Sequence, residues 1–390
     1  MTSHELWRRA IQWGTQYGQC LAGAAHFGHS LTTGIYLRVL NTPFVFLNSA
    51  EAVMDLLHKR GALYSDRAHL TFGGEMCGFD DLVPLTKYGE RFKLERKLMN
   101  QALGLSAVEK WQPLVERETH LLLQHLTKSP EAFAHHSKRF AASLIFSTIY
   151  GYHIAENDDP YVKDSEEFME ASAKAMTGPW VVDFFTWLRW VPGLTFHKTA
   201  AQWRAKLDDW VDKPYRMFKA LPDSTAKRIS FCGNLLLDDD GKFVCDAETE
   251  YRVKWLATSM YGPGSDTTVI TLSMLVLSMC HYPEVLRKAQ RQVDSVLGTE
   301  RLPSFQDRPR LPYIDCIIKE VLRWETPVPM TPPHRLIQDD RYRGYDLPEG
   351  SFCIANMWAI LHDETLYPDP LAFSPERFEK TDEADKASDP

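Results

Sequence analysis

One stretch in the last third of the chain places an acid beside a hydroxyl. The segment Gly262-Pro263-Gly264-Ser265-Asp266-Thr267-Thr268 falls inside a predicted helix, and a carboxylate next to an alcohol can relay protons. Inside a helix glycine costs about 1 kcal/mol and proline about 3 kcal/mol, so Gly-Pro-Gly needs a reason. One interpretation is a bulge that lets a flat ligand approach the backbone. The alternative is a loop between two ordinary helices, with Ser265 or Asp266 as N-cap.

A second stretch carries charged residues that would have a structural role if they were buried. Glu320 and Arg323 lie three residues apart on a predicted helix, among Ile317, Ile318, Val321 and Leu322. Alone, an i, i+3 pair usually marks a solvated surface contact. About fifty residues later Arg377 follows in the aromatic-rich Phe373-Ser374-Pro375-Glu376-Arg377-Phe378. The pattern predicts a buried Glu–Arg–Arg network that fixes a loop against a helix.

The elements around these stretches predict a mainly α protein with small β-sheets. Residues 248–297 predict two helices that meet at His281-Tyr282-Pro283, because proline ends or begins a helix. A helix capped by Asn48, with Glu51 at the capping-box position, ends at Gly61. Short strands are predicted at residues 35–40, 44–47, 341–346 and 351–355. We expect one domain over residues 1–390, with residues 1–60 and 338–356 contributing its β-rich part, 61–337 mainly helical and 379–390 an unfinished tail.

Composition excludes several protein classes. The 390 residues are 44% hydrophobic and 25% charged, which is ordinary for a globular chain. Forty-four Lys and Arg against 52 Asp and Glu give a net charge of -8, which argues against nucleic acid as a partner. The seven cysteines show no paired spacing, which favours a reducing compartment. Hydrolase and dinucleotide motifs are missing as well.

Membrane signals are weak in this sequence. The first residues contain no apolar run, and the longest such stretch, Val269 to Met279, spans about 11 residues where a membrane-crossing helix needs about 20. The sequence as written therefore predicts a soluble or at most peripheral protein.

The order Gly-Ser-Asp-Thr-Thr, Lys-Glu-Val-Leu-Arg, Pro-Glu-Arg-Phe resembles the cytochrome P450 family, most closely its fungal microsomal group. The resemblance covers nearly the whole chain. It implies a P450-type helical prism with small sheets that holds heme b, and a monooxygenase that inserts one oxygen atom from O2 into an apolar small-molecule substrate. It also implies NADPH-cytochrome P450 reductase as partner and the cytoplasmic face of the endoplasmic reticulum membrane as location. For a chain without the anchor, a cytoplasmic location is the expectation.

The resemblance also suggests roles for individual residues. Asp266 and Thr267 match the family's acid–alcohol pair, which delivers the two protons that O–O cleavage requires. Glu320, Arg323 and Arg377 match its structural network. The residues that match haem contacts are Arg67, Phe92, Arg96, His334 and Gly264. A convergent set of Arg and His suits the buried propionates of haem. Arg67 as a loop cation and His334 as a surface imidazole are the alternative interpretations.

The sequence departs from the family pattern in the helix that carries Asp266, at one propionate contact and, above all, at the ligand of the iron. Pro263 stands where the family has Ala or Gly, and Phe92 replaces a Trp and so lacks an N–H donor. Family members ligate iron through a Cys thiolate in a Phe-x-x-Gly-x-Arg-x-Cys-x-Gly loop, and none of the twelve residues after Phe378 is Cys. Cys280, Cys316 and Cys353 are interpreted as small buried hydrophobes. We expect a chain truncated before its axial ligand and inactive as written; the alternative is a non-catalytic remnant or an apolar-ligand-binding helical protein.

Candidate substrate contacts are apolar and bulky. By resemblance they come from four regions: Leu70, Phe72, Met76 and Phe79; Trp180, Phe184, Phe185 and Trp187; the long helix; and Val328 with Met330. Trp180, Phe184, Trp187 and Val191 recur at helical spacing, so an ordinary core face is the competing interpretation. A bulky apolar substrate is favoured, without its identity.

Overall fold

The computed structural model describes residues 6–10, 34–39, 42–156, 159–178 and 180–379. This part of the chain is mainly helical with two small sheets, which confirms the predicted fold class. The chain divides into two compact units: a sheet unit formed by Met1–Asp66 and Ile270–Pro390, and a helical unit formed by Arg67–Val269. Residues 6–10 are helical. The predicted tail after residue 379 lies outside the described residues.

The larger sheet has five strands in the order β1-β2-β7-β4-β3. Strand β1 pairs antiparallel with β2, β2 pairs parallel with β7, and β7 pairs antiparallel with β4. The smaller sheet is the antiparallel pair of β5 and β6. The strands are β1 Gly34–Val39, β2 Thr42–Leu47, β3 Asp66–Arg67, β4 His334–Arg335, β5 Asp340–Tyr342, β6 Tyr345–Leu347 and β7 Phe352–Ala355.

The helices follow the predicted helical stretch with interruptions by short turns. In chain order they are α1 Ala50–Val53, α2 Gly61–Tyr64, α3 Glu90–Leu103, α4 Leu105–Val108, α5 Gln112–Lys128, α6 Phe133–Tyr150, α7 Pro160–Thr177, α8 Val181–Phe184, α9 Thr195–Ala220, α10 Thr225–Ile229, α11 Phe231–Leu236, α12 Ala247–His281, α13 Pro283–Leu297, α14 Pro312–Trp324 and α15 Met357–Leu361. Two π-helical turns occupy Met54–Lys59 and Thr71–Met76.

The prediction of a single strand over residues 341–346 is wrong. The chain turns back within it, and β5 pairs with β6 across Arg343 and Gly344, which have φ angles of 51° and 89°. Two consecutive residues with positive φ suit a tight hairpin, and Gly344 was the signal for it. The strand predicted over residues 351–355 exists as β7 and belongs to the larger sheet, where it pairs with β2 and β4.

The helix predicted to run from Asn48 to Gly61 is capped one residue later than predicted. Ser49, and not Asn48, is the N-cap of α1, and its hydroxyl accepts a hydrogen bond from the backbone N–H of Ala52 at 3.3 Å. The Asn48 side chain is already engaged, because its oxygen accepts a hydrogen bond from the Asn356 amide at 3.0 Å. Gly61 likewise begins α2 instead of ending the helix.

Helix α12 runs without interruption through Gly262-Pro263-Gly264, so the interpretation of a loop between two helices is wrong. The predicted junction at Tyr282 is confirmed, because α12 ends at His281 and α13 begins at Pro283. Among the described residues no single helix is both long and apolar enough to cross a membrane. Within the described ranges, the pair of α12 and α13 is the one that together reaches that length and composition, and it is bent by 106°.

The core of the helical unit fixes where the middle of α12 lies. Tyr261 is 1% exposed, and its ring packs edge-on against Phe146 of α6 at 5.3 Å and stacks on Phe168 of α7 at 5.6 Å between centroids. These contacts hold the turn that carries the candidate acid against α6 and α7.

Candidate functional site

Asp266 and Thr267 lie on consecutive positions of α12. The Thr267 hydroxyl donates a hydrogen bond to the carbonyl of Pro263 at 2.9 Å, one turn earlier. Asp266 is an exposed residue, although desolvation of its carboxyl group is the largest influence and raises its pKa. The cation of Lys138 lowers that pKa and the anion of Glu166 raises it.

Both glycines of the Gly-Pro-Gly segment permit close helix packing. A Cβ atom at Gly262 would lie 2.7 Å from a ring carbon of Phe168, and one at Gly264 would lie 2.4 Å from Cδ1 of Ile145. The close approach at Gly264, predicted as a haem contact, is therefore an approach between α12 and α6 on that side of the helix. Pro263 has no N–H to donate to the carbonyl four residues earlier.

Glu320, Arg323 and Arg377 contact each other in the sheet unit. Arg323 donates from Nε to Oε2 of Glu320 at 2.7 Å and from Nη2 to Oε1 at 2.9 Å, and Arg377 donates from Nε to Oε1 at 3.1 Å. The side chains of Glu320 and Arg323 are 0% exposed, and that of Arg377 is 10% exposed. At this depth a charge is tolerated only when it is paired and hydrogen-bonded, and here every member is.

The network reaches further than the sequence predicted. The backbone N–H of Ser374 donates to Glu320 Oε1 at 2.7 Å. Arg323 Nη1 donates to the carbonyls of Leu361 and Pro370 at 2.9 and 2.8 Å, and Arg377 Nη1 donates to that of Pro368 at 2.9 Å. Backbone partners leave no signal in residue type, so only the helical spacing and Arg377 were predictable.

A second cluster of charges holds the same loop from outside. Nζ of Lys288 on α13 lies 2.9 Å from Glu376 and 2.6 Å from Glu379. The same ammonium group lies 3.9 Å from the ring centroid of Tyr313 on α14. Sequence analysis missed this cluster; Glu376 beside Arg377 was a weak signal.

The candidate propionate contacts of α3 differ in burial. Arg96 is exposed, whereas Phe92 is partly buried and packs against the core of the helical unit. Its ring lies 5.9 Å from that of Tyr88. Arg96 thus presents a guanidinium group that can donate to a carboxylate, and Phe92 offers only apolar contact.

Arg67 and His334 are both half-buried strand residues. Arg67 ends β3, and its Nε and Nη1 atoms are buried. His334 begins β4 and donates from Nδ1 to the carbonyl of Tyr64 at 2.8 Å. This bond fixes the orientation of the imidazole ring.

The candidate substrate contacts of the helical unit divide into two groups. Phe72 and Phe79 are 0% exposed, and Phe72 stacks on Trp180 with ring centroids 3.6 Å apart. Phe184 and Trp187 are 45% and 61% exposed. The helical face predicted through Trp180, Phe184, Trp187 and Val191 is wrong, because α8 ends at Phe184 and a 3-10 turn follows over Thr186–Trp190.

The remaining candidates are less buried. Leu70 and Met76 are half-buried, and Phe185 is 46% exposed. In the sheet unit, Val328 is 41% exposed, while Met330 packs against the cluster that contains Ile35 and Phe46.

Five of the described cysteines have surroundings that keep the thiol protonated. Burial raises the pKa of Cys353 and of Cys77 to about 12, and it also raises the pKa of Cys316 and Cys232. The pKa of Cys245 is raised too, and Cys280 is exposed at the end of α12, so the prediction that Cys280 is buried is wrong. A haem-binding thiolate needs a lowered pKa. The five described cysteines with a raised pKa therefore do not fit the role of a ligand for iron.

Comparison with known proteins identifies the family to which the chain belongs. The family model described as "Cytochrome P450" matches residues 29–390. The chain is 51% identical over 379 residues to cytochrome P450 monooxygenase claT of Ampulloclitocybe clavipes, a match that covers 97% of this chain and 71% of that protein. It is 35% identical to cytochrome P450 monooxygenase 105 of Postia placenta, over 95% of this chain and 70% of that protein. The chain belongs to the cytochrome P450 family, whose members are oxidoreductases that carry haem.

Solved structures agree with the fold. A zebra fish cytochrome P450 determined with progesterone matches with a TM-score of 0.74 at 21% identity, over 97% of this chain and 84% of that one. A second zebra fish structure, determined with abiraterone, gives a TM-score of 0.71 at 20% identity over 95% of this chain and 82% of that one. At this identity the likeness establishes the P450 fold alone.

Proposed function

We propose that this chain carries the distal half of a haem-thiolate monooxygenase site, which inserts one oxygen atom from O2 into a bulky apolar substrate. The observation that carries the proposal is the Asp266–Thr267 pair on an unbroken helix, because a carboxyl group beside an alcohol can move protons to one defined point. Desolvation raises the pKa of this carboxyl group.

Each residue has a separate task in this proposal. Asp266 takes up and releases a proton at its carboxyl oxygen. The Thr267 hydroxyl, whose hydrogen is donated to the Pro263 carbonyl, presents its oxygen as an acceptor that orients the group receiving the proton. Arg67, Arg96 and His334 would hold the propionates of haem through charge-assisted hydrogen bonds. Phe92 would line that contact without donating. The network of Glu320, Arg323 and Arg377 keeps the loop before residue 379 in register with α14.

Haem bound through a cysteine thiolate supplies the iron at which dioxygen is activated. Since five of the described cysteines have raised pKa values, we propose that these five do not ligate the iron and that the described residues alone are inactive as an oxygenase. NADPH-cytochrome P450 reductase is the proposed electron donor. A microsomal location on the cytoplasmic face is proposed from the fungal relatives.

Haem titration tests the proposal directly. We expect the 390-residue chain to bind haem with a change in its absorption spectrum, and the Arg96→Ala and His334→Ala variants to bind it at least tenfold more weakly. Lys97→Ala, which alters an exposed cation next to Arg96, is the matched control. The reduced protein with carbon monoxide should lack the red-shifted band of thiolate ligation. Equal binding by all variants, or the appearance of that band, would contradict the assignment.

The second candidate function is a non-catalytic protein that binds an apolar ligand. The aromatic side chains of Phe184 and Trp187, which are 45% and 61% exposed, favour it. Sequencing of the transcript beyond the codon for Pro390 separates the two: a Cys loop there supports the monooxygenase, and a stop codon supports the remnant.

A further inference from the structure

A buried carboxylate interrupts the apolar face of helix α3. The apolar side chains of this helix that meet the core of the helical unit form one stripe, made by Phe92, Leu98, Met99 and Ala102. Glu95 lies within this stripe, three residues from Phe92 and from Leu98, and is 2% exposed. The spacing calls for an apolar residue there, because a buried charge is costly unless it is paired.

The charge of Glu95 is paired within its own helix. Arg91 donates from Nε to Oε1 of Glu95 at 2.7 Å, from one helical turn earlier. Among the described residues Oε2 of Glu95 has no hydrogen-bond partner. Arg91 is therefore the group that compensates this buried carboxylate.

Arg91 is in turn fixed by contacts outside α3. Its Nη1 donates to Oδ1 of Asp81 at 3.2 Å, and its Nη2 donates to the Asp81 carbonyl at 3.3 Å. The hydroxyl of Tyr251, near the start of α12, donates to Oδ2 of Asp81 at 3.0 Å. The Arg91 guanidinium group thus joins the buried face of α3 to a turn that α12 also holds, all within the helical unit.

The rotation of α3 decides where Arg96 points. Arg96 follows Glu95 directly, so the two side chains leave the helix about 100° apart, and any rotation of the helix about its axis moves both. Apolar side chains can repack at small cost, whereas a buried charge is satisfied only in the arrangement that pairs it. A single buried polar residue can fix the register of a helix in this way.

We propose that Glu95, held by Arg91 and Asp81, is a positioning residue that fixes the rotation of α3. It thereby sets the direction in which Arg96 presents its guanidinium group to a carboxylate of haem. This inference rests on the proposed function, in which Arg96 holds a propionate, and Glu95 acts on that contact only through Arg96.

An apolar substitution separates positioning from stability. Glu95→Leu completes the apolar stripe, and Arg91, which is 45% exposed, keeps Asp81 as a partner. The midpoint of urea denaturation should therefore stay the same or rise, whereas haem should bind about tenfold more weakly, as the loss of a coupled contact produces. Glu95→Gln keeps an oxygen that accepts from Arg91 and should bind haem within about twofold of the unaltered protein.

A double substitution shows whether Glu95 acts through Arg96. In the Arg96→Ala background, Glu95→Leu should cause no further loss of haem affinity, because the group that it positions is gone. Glu90→Gln is the matched control, since it breaks an exposed pair with Lys93 on the same helix, and it should leave haem affinity unchanged. Additive losses, unchanged affinity in Glu95→Leu, or an equal loss in Glu90→Gln overturn the proposal.

An NMR measurement tests the rotation of α3 without haem. In Glu95→Leu the backbone amide signals of α3 should broaden or double, because the helix then adopts more than one rotation, and in Glu90→Gln they should stay single. Doubled signals in a chain that fails to bind haem would retain the role of Glu95 in fixing α3 and remove the monooxygenase. Haem binding by the unaltered chain, with single, sharp signals in Glu95→Leu, would do the reverse.

Discussion

Glu320 holds Arg377 across 57 residues of sequence, with Oε1 of the carboxylate 3.1 Å from Nε of the guanidinium group. The same oxygen accepts the backbone N–H of Ser374 at 2.7 Å. A helix and a loop are thus joined at a single buried atom. The free energy of this arrangement depends on all of its partners at once.

Removing the Glu320 carboxylate should therefore lower the free energy of unfolding strongly. Glu320→Ala leaves Arg323 with a side chain that is 0% exposed and uncompensated, and breaking such a buried pair costs about 3–5 kcal/mol. We expect a loss of this size in the free energy of unfolding, measured by urea denaturation. Glu284→Ala is the control: Glu284 and Arg287 have the same spacing on α13 but are exposed, so its effect should stay within about 0.5 kcal/mol. Similar losses in both variants would contradict the assigned role.

Lys288 should matter less for stability and more for the order of one loop. Lys288→Met removes the ammonium group that lies against Glu376, Glu379 and the Tyr313 ring. Because the side chain is 37% exposed, we expect a loss of about 1 kcal/mol and faster amide hydrogen exchange over Phe373–Phe378. Lys59→Met, which removes a surface pair with Asp55, should leave that exchange unchanged. Unaltered exchange in Lys288→Met would show that the buried network alone orders the loop.

The sequence predicted those features that local residue types determine. Pro283 marked the junction of α12 and α13, and the spacing of Glu320 and Arg323 predicted a shared face. Features that depend on distant partners were not predictable. Asn48 lost its capping role to a contact with Asn356, and the Gly-Pro-Gly segment stayed helical because Gly262 and Gly264 pack against α7 and α6.

Pro263 should destabilise α12, because it lacks a backbone N–H donor although the helix continues through it. It lies inside α12 and is exposed, so Pro263→Ala restores a backbone N–H without a demand for space. We expect the free energy of unfolding to rise by about 1–3 kcal/mol, measured by urea denaturation. Pro283→Ala is the comparison, because Pro283 occupies the first turn of α13, where the missing N–H is harmless. An equal gain from both substitutions would show that the helix interior is not the cause.

His362 should make stability depend on pH below neutrality. Its ring stacks on Trp358 at 3.9 Å, and Nδ1 donates to the Trp358 carbonyl at 2.9 Å. Burial, with smaller contributions from Arg323 and Arg8, lowers the pKa of His362 to about 4, against an ordinary value near 6.5. Between these values the unfolded chain binds the proton more readily than the folded one, so this stabilisation is complete above about pH 6.5 and is lost as the pH falls toward 4.

His362→Gln should remove that part of the pH dependence. The free energy of unfolding of the unaltered protein, followed by urea denaturation from pH 7 to 4, should fall more steeply than that of the variant. His281→Gln, at an exposed position, should follow the unaltered protein. Parallel curves for His362→Gln and the unaltered protein would mean that the ring is as easily protonated in the folded state as in water.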